Sequence, residues 1–279
     1  MAIKNFDNLV IDRVVDAWFE SKNTGDLLAV LDQVSNFSIN TTSETKDKTD
    51  AQGALLKRYF TSKSVEISGE NATFSLNLFA TQNGVSKLTG AAVEMPRILQ
   101  VAKTESPYEL PETPVDVDKM QVYGTFENGN VDISKRYTKS TDGTAADGKY
   151  AIATVEGKTT ITLPTDATDI VQIKYDRTVD AAKAAARVNV QGDKFPKECK
   201  ATFRVLCSDV CNSEEVIALY VVFEKFQMSP DFDWTVDTES TQNFSATAFK
   251  DYCAKNQVLY YIAVAEDANE AYDTKPFVG

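Results

Sequence analysis

Alternation of apolar and polar side chains, more than any long run of either, organises this chain. Phe37 and Ile39 alternate with Ser38 and Asn40, Val65 and Ile67 with Glu66, and Phe74, Leu76 and Leu78 with Ser75 and Asn77. A period of two marks a half-buried strand, so strands are expected at residues 37–42, 64–68 and 72–80. Gly69-Glu70-Asn71 and Gln82-Asn83-Gly84 supply turns, because Gly and Asn adopt positive φ cheaply. Between Thr41 and Gly53 the sole apolar residue is Ala51. Such a segment has nothing to pack with, and it is expected as an extended, solvated β-arm or as a loop that orders only against a partner. The aromatic set Tyr59, Phe60, Phe74 and Phe79 reads as core.

Residues 6–18 fit two patterns. Phe6, Leu9, Val10, Val14, Ala17 and Trp18 fall near helical spacing, yet the stretch is rich in β-branched residues, and periodicity does not choose between helix and strand. Pro96, Pro107, Pro111 and Pro114 mark a linker or irregular crossover. Strands are expected at 121–126 and 130–137 around Asn128-Gly129, a hairpin signal. More follow at 150–155 and 159–163, after a turn region at 141–148. Further on, 170–175 reads as a strand, the Ala-rich 180–187 as two helical turns, and 187–190 as a strand. Residues 200–208 and 215–225 are longer strands with Asn212 and Ser213 between them. Within the second, 216–223 is nearly continuous in apolar residues and is expected as a central strand buried on both faces. A strand at 235–246 with Phe244 inward, one at 259–265 closing the sheet, and a tail at 268–279 complete the chain. The fold class is mainly β: two packed or orthogonal sheets, with one or two flanking helices. A discontinuous core of residues 1–90 and 161–279 is expected to hold an inserted β-rich subdomain or elaborated loop at 91–160.

Composition narrows the function more by exclusion than by signal. A formal charge of −12 with no dense basic stripe argues against nucleic-acid binding, which runs on Lys and Arg neutralising phosphates. No apolar run approaches the roughly 20 residues that span a bilayer, so no membrane anchor is expected. The first residues lack the apolar core of a signal peptide, which points to cytoplasmic synthesis. Histidine is absent, which removes His-based triads and the commonest metal ligand. No carboxylate pair, phosphate-cradling glycine loop or calcium-loop pattern stands in its place. No enzyme activity, cofactor or metal is therefore expected. Cys199, Cys207, Cys211 and Cys253 lack the paired knuckles of a zinc site and sit mostly in apolar contexts, so they read as free, structural thiols.

The order of these segments resembles the bacteriophage tail tube (major tail) proteins. The resemblance rests on the block from Val34 to Gly84, with its polar Thr/Asp/Gly arm and Gly-Glu-Asn strand. It rests also on Lys194-Phe195-Pro196 and on the block from Phe223 to Asp251. Roughly half the chain takes part; the middle is longer than the minimal family pattern. The resemblance implies a tail-tube-like β-sandwich or barrel whose subunits form hexameric rings stacked into a hollow tube. DNA would pass through without specific binding, other tail proteins would be partners, and the virion tail would be the place of residence. It implies an N-terminal segment that docks on a neighbouring subunit, and sheets joined between subunits by strand pairing. Ser38, Asn40 and Thr42 would then suit a wet lumen wall, with Glu44 and Asp47 repelling phosphates. Thr41, Lys46, Lys48, Asp50 and Gly53 would belong to the inter-subunit arm. A capsid-associated or decoration protein, or a β-rich carbohydrate- or receptor-binding module, are the alternatives.

Overall fold

The structure is a computed structural model that describes residues 6, 8–90, 93–179, 185–210, 212–233, 237, 240–252 and 257–265. In chain order it contains β1 (Leu9–Ser21), β2 (Leu27–Leu31), β3 (Val34–Thr49), β4 (Leu55–Asn71), α1 (Leu76–Gln82), β5 (Lys87–Thr89), β6 (Val93–Ala102), β7 (Tyr108–Glu109) and β8 (Gln121–Thr125). Then come β9 (Val131–Lys139), β10 (Lys149–Val155), β11 (Lys158–Thr162), β12 (Ile170–Val179), β13 (Ala186–Val188), β14 (Glu198–Asp209), β15 (Asn212–Met228), β16 (Gln242–Ala248) and β17 (Tyr261–Ala265). The protein is mainly β, as its alternation requires, with α1 the one α-helix among the described residues.

Two compact units share the chain: Met1–Lys87 with Val188–Gly279, and Leu88–Arg187. The second unit is longer than the expected insertion at 91–160, because β12 pairs with β6 and β8 rather than with the larger sheet. Strand β6 takes in Pro96, which sequence reading assigns to a linker. Proline is tolerated there because β6 lies at the edge of its sheet, where one side of the strand needs no N–H donor. The unit's core gathers Val101, Val122, Tyr137, Ile161, Val171 and Ile173. Beside it Arg177 pairs with Glu112, and Tyr175 donates to the same carboxyl at 3.4 Å. Burial, aided by the Glu112 charge, pushes the Tyr175 phenol up to about 12.

The first unit is built on one sheet in the order β2-β1-β14-β15-β16-β4-β3, with β17 also paired to β15. Within the stretch 6–18, residues 9–18 resolve as strand: β1 runs antiparallel to β14 from Leu9↔Asp209 to Ser21↔Cys199, with two irregularities that break its alternation. Strand β15 is central, as its apolar run demands, and Ile217, Val221, Phe223 and Phe226 are buried. The sheet curls round its own core. Phe37 of β3 and Phe203 of β14 are four strands apart in the hydrogen-bonded order, about 19 Å in a flat sheet at ~4.8 Å per strand. Their ring centroids are nevertheless 4.3 Å apart. Phe19, Phe223, Phe226 and Phe244 complete this aromatic core.

The expected third strand at 72–80 is instead α1. Ser75 accepts the N–H of Leu78 at its N-terminus, Leu78 packs into the aromatic core, and Asn83 returns a hydrogen bond to Phe79. Gln242 accepts the N–H of Ser75, and Gln82 donates to the Asn243 carbonyl, so the helix is tied to β16 at both ends. Past the helix, Gly84 has φ 64° and lies against Phe195; a Cβ there would come 1.9 Å from the Phe195 carbonyl oxygen. Gly84 and Lys194-Phe195-Pro196, both named in the family resemblance, thus meet in space. The helical turns expected at 180–187 and the tail at 268–279 fall mainly or wholly outside the described residues.

Cys199 and Cys207 are buried, and their thiols donate to the carbonyls of Phe226 and Ile217. Burial pushes the Cys199 thiol up to about 12 and raises Cys207 as well. Cys211 and Cys253 lie outside the described residues. The expected titration has two parts: four thiols count under denaturing, non-reducing conditions, while Cys199 and Cys207 stay unreactive in the native protein at pH 8, where only a thiolate attacks. A missing pair in the denatured count would reveal a disulfide.

Candidate assembly surface

Strands β3 and β4 form one continuous hairpin, but only its base rests on the core. Near the base, Ile39 faces Ile67 and Thr41 faces Val65. Beyond that pair every residue of 42–49 and 55–64 is exposed. The expected arm is therefore an ordered two-stranded ribbon, projecting about 26 Å at ~3.3 Å per residue. Asp50 closes its tip by accepting the N–H groups of Gln52 (2.9 Å) and Ala54 (2.7 Å), and Gly53 supplies φ 86°. Side-chain links across the strands are few. Arg58 donates to both Asp47 oxygens at 2.8 and 2.9 Å and Thr42 bonds Ser64 at 2.7 Å, while within β4 the Lys57 ammonium lies 4.9 Å from the Tyr59 ring centroid. The Arg58 guanidinium holds the Asp47 carboxyl below its usual range. A two-stranded ribbon without a third layer is marginal in water, so this one lacks something to lie on.

Pairing assigns each side chain to a face, since directly opposite residues share one. Ser38, Asn40, Thr42 and Glu44 face outward with Ser68, Glu66, Ser64 and Ser62. Asp47, grouped with them by the sequence reading, lies on the other face, opposite Arg58. Of the expected arm residues, Lys46 and Lys48 stand on the outward face opposite Tyr59 and Lys57, Thr41 is on the core side at the base, and Asp50 and Gly53 build the turn.

An irregularity between Glu44 and Thr45, where Thr61 is the extra residue in β4, reverses the alternation of that strand. Below it Phe60 and Arg58 fall on the face that continues the core side, while Leu56 is itself the extra residue at a second irregularity, between Lys48 and Thr49. Phe60 is 75 % exposed, Leu56 61 % and Tyr59 44 %. The expectation that Tyr59, Phe60, Phe74 and Phe79 form core is thus corrected. Tyr59 and Phe60 lie on the free ribbon, Phe74 is exposed, and Phe79 is partly covered, with Phe232 set edge-on at 5.8 Å. The outer edge of β3, the last strand in its sheet, carries backbone groups with no strand beside them among the described residues.

On the outward face at the hairpin base lies a concavity of about 380 Å³. Ser38, Ser68 and Ser245 stand directly opposite one another on three adjacent strands, and their short side chains leave the surface low there. Glu70 and the Asp231-Phe232-Asp233 segment wall the hollow. Asn36, at φ 50°, donates to Glu70 at 3.1 Å. Among the described residues no cluster of His, Cys, Asp or Glu is placed to hold a metal ion. A second hollow, over β1, β14 and β15, contains the Arg204–Asp16 pair between Trp18 and Tyr220. Burial raises the Asp16 pKa although Arg204 opposes it. No described helix is long and apolar enough to cross a membrane.

A search among curated proteins found no match. The model of the YomU/Tube protein family matches residues 9–262, from the start of β1 into β17 and across both units. That span takes in the two blocks and the Lys194-Phe195-Pro196 segment that carry the resemblance to phage tail tube proteins, and the chain belongs to the YomU/Tube protein family.

Proposed function

We propose that this protein is a structural subunit of a phage tail tube that assembles with copies of itself into stacked, hexameric rings around a channel for DNA. The observation that supports it best is the β3–β4 ribbon. It is ordered by backbone pairing, carries exposed Phe60 and Leu56, and ends its sheet with an edge that no strand pairs among the described residues. In a monomer each of these is a liability, inviting aggregation; in a regular assembly each is covered by the next copy. In this reading the outward face with Ser38, Asn40 and Thr42 lines the wet channel, and the protein is a scaffold without catalytic work. Negative-stain micrographs of concentrated, purified protein test the reading. Hollow tubes or stacked rings are expected; monodisperse monomers at high concentration would sink it.

A further inference from the structure

We infer that the core-side face of the arm of one copy seats on the serine-floored concavity of a second copy. Lys63 enters among Glu70, Asp231 and Asp233, and Phe60 rests against Phe232. The inference rests on the tube reading and names the contact through which that assembly propagates.

Three features of the chain support it. The first is charge. Residues 41–64 carry five basic against three acidic side chains, in a chain whose formal charge is −12. Asp47 is already neutralised by Arg58, while Lys63 has no carboxylate within ion-pair distance among the described residues. The hollow is the reverse: Glu70, Asp231 and Asp233 wall it, and no cation pairs with them among the described residues. Opposite patches of this kind set register and encounter rate between partners.

Shape is the second. Lys63 and Phe60 lie close along β4, on either side of the Thr61 irregularity and on the same face. Ser68 and Ser245 in the floor leave room for a long side chain, and Phe232, partly exposed, offers an aromatic wall beside the carboxylates. A buried aromatic anchor next to a desolvated charge pair is the usual centre of a binding surface.

Topology is the third, and it excludes the arm's own subunit. Lys63 and Phe60 are on the core-side face of the hairpin, whereas the hollow is on the outward face of the same continuous strands. No bend of a paired ribbon brings its one face onto its other. The occupant must come from another molecule, and a contact between two different patches of identical chains is heterologous. It repeats head to tail, closing into a ring or extending as a stack.

Cross-linking with a zero-length carbodiimide, on a mixture of ordinary and ¹⁵N-labelled full-length protein, tests this directly. The expected product joins the Lys63 peptide to the peptide holding Asp231 and Asp233, with mixed isotopes, and Lys63→Gln removes it. Lys63→Glu should raise the concentration needed for assembly at least tenfold, and adding Asp231→Lys with Asp233→Lys should restore it; circular dichroism checks that each variant folds. Tubes without the mixed-isotope product, or unaffected assembly of Lys63→Glu, would overturn this contact and leave the tube reading standing. The product in small oligomers that never form tubes would uphold the contact and sink the tube reading. With neither product nor assembly, both fall.

Discussion

Replacing Phe203 by alanine is expected to destabilise the first unit by about 3–5 kcal/mol, the range for emptying a buried aromatic site. Phe203 is fully buried, with rings from four different strands around it: Phe19 at 5.8 Å, Phe37 at 4.3 Å, Phe223 at 5.9 Å and Phe244 at 6.4 Å. Because these rings come from β1, β3, β15 and β16, neighbours cannot collapse into the void without moving strands that are hydrogen-bonded elsewhere. Against a typical total of about 5–15 kcal/mol, the loss is large enough to leave a fraction of the chains unfolded at physiological temperature. Urea unfolding followed by tryptophan fluorescence should show a much lower midpoint with an unchanged slope. A loss under about 1 kcal/mol would mean that the core is centred elsewhere. The loss also reaches the arm, since Phe37 anchors the root of β3 on Phe203.

Much of this fold was legible from alternation alone. Strand β15 announces itself by its apolar run, β8 and β9 by Asn128-Gly129, and Phe244 by its phase within β16. What alternation missed has physical causes. Phe74, Leu76 and Leu78 alternate as a strand would, but the segment is too short for either period to win. The hydroxyl of Ser75 on the Leu78 N–H, and the ties of Gln82 and Gln242, decide for a helix. Residues 6–18 lose their phase at two irregularities in β1. Pro96 reads as a breaker until the sheet order shows that β6 is an edge. Residues 161–179 read as part of the larger sheet because the pattern of a strand says nothing of its partner.

The arm divides in the same way. Having no apolar residue but Ala51 between Thr41 and Gly53 marks it as solvated, and that half is a true strand of the ribbon. Its returning half carries Leu55, Leu56, Tyr59 and Phe60, which by composition alone belong in a core. Only the pairing register shows them far from one, and only the extra residue at Thr61 shows that Phe60 and Tyr59 have exchanged faces relative to the strand above. The serine row was half legible: Ser38 stands out in the alternation of β3, but Ser68 and Ser245 join it only across the sheet.

Changing Phe60 and Leu56 together to aspartate is expected to abolish the proposed tube formation while leaving the fold of the subunit intact. Both side chains are more than half exposed and rest on no core residue, so their loss removes little buried surface from the monomer. Exposed substitutions of this kind usually alter stability by no more than about 0.5 kcal/mol. In the assembly the same two side chains would be covered by a neighbour, and each aspartate would bring an unpaired carboxylate into that contact, a cost of several kcal/mol per site. In a ring or stack the penalty recurs at every interface, so it cannot be diluted by the rest of the contact. Sedimentation should therefore show monomers at concentrations where the parent protein is fully assembled, with the two urea midpoints superimposed. The outward-facing pair Lys46→Gln and Lys48→Gln serves as the control on the opposite face of the same ribbon and should keep its tubes. Tubes from the aspartate variant at the parent's threshold concentration would show that this face of the arm stays in water, and would remove the arm as the element that joins the subunits.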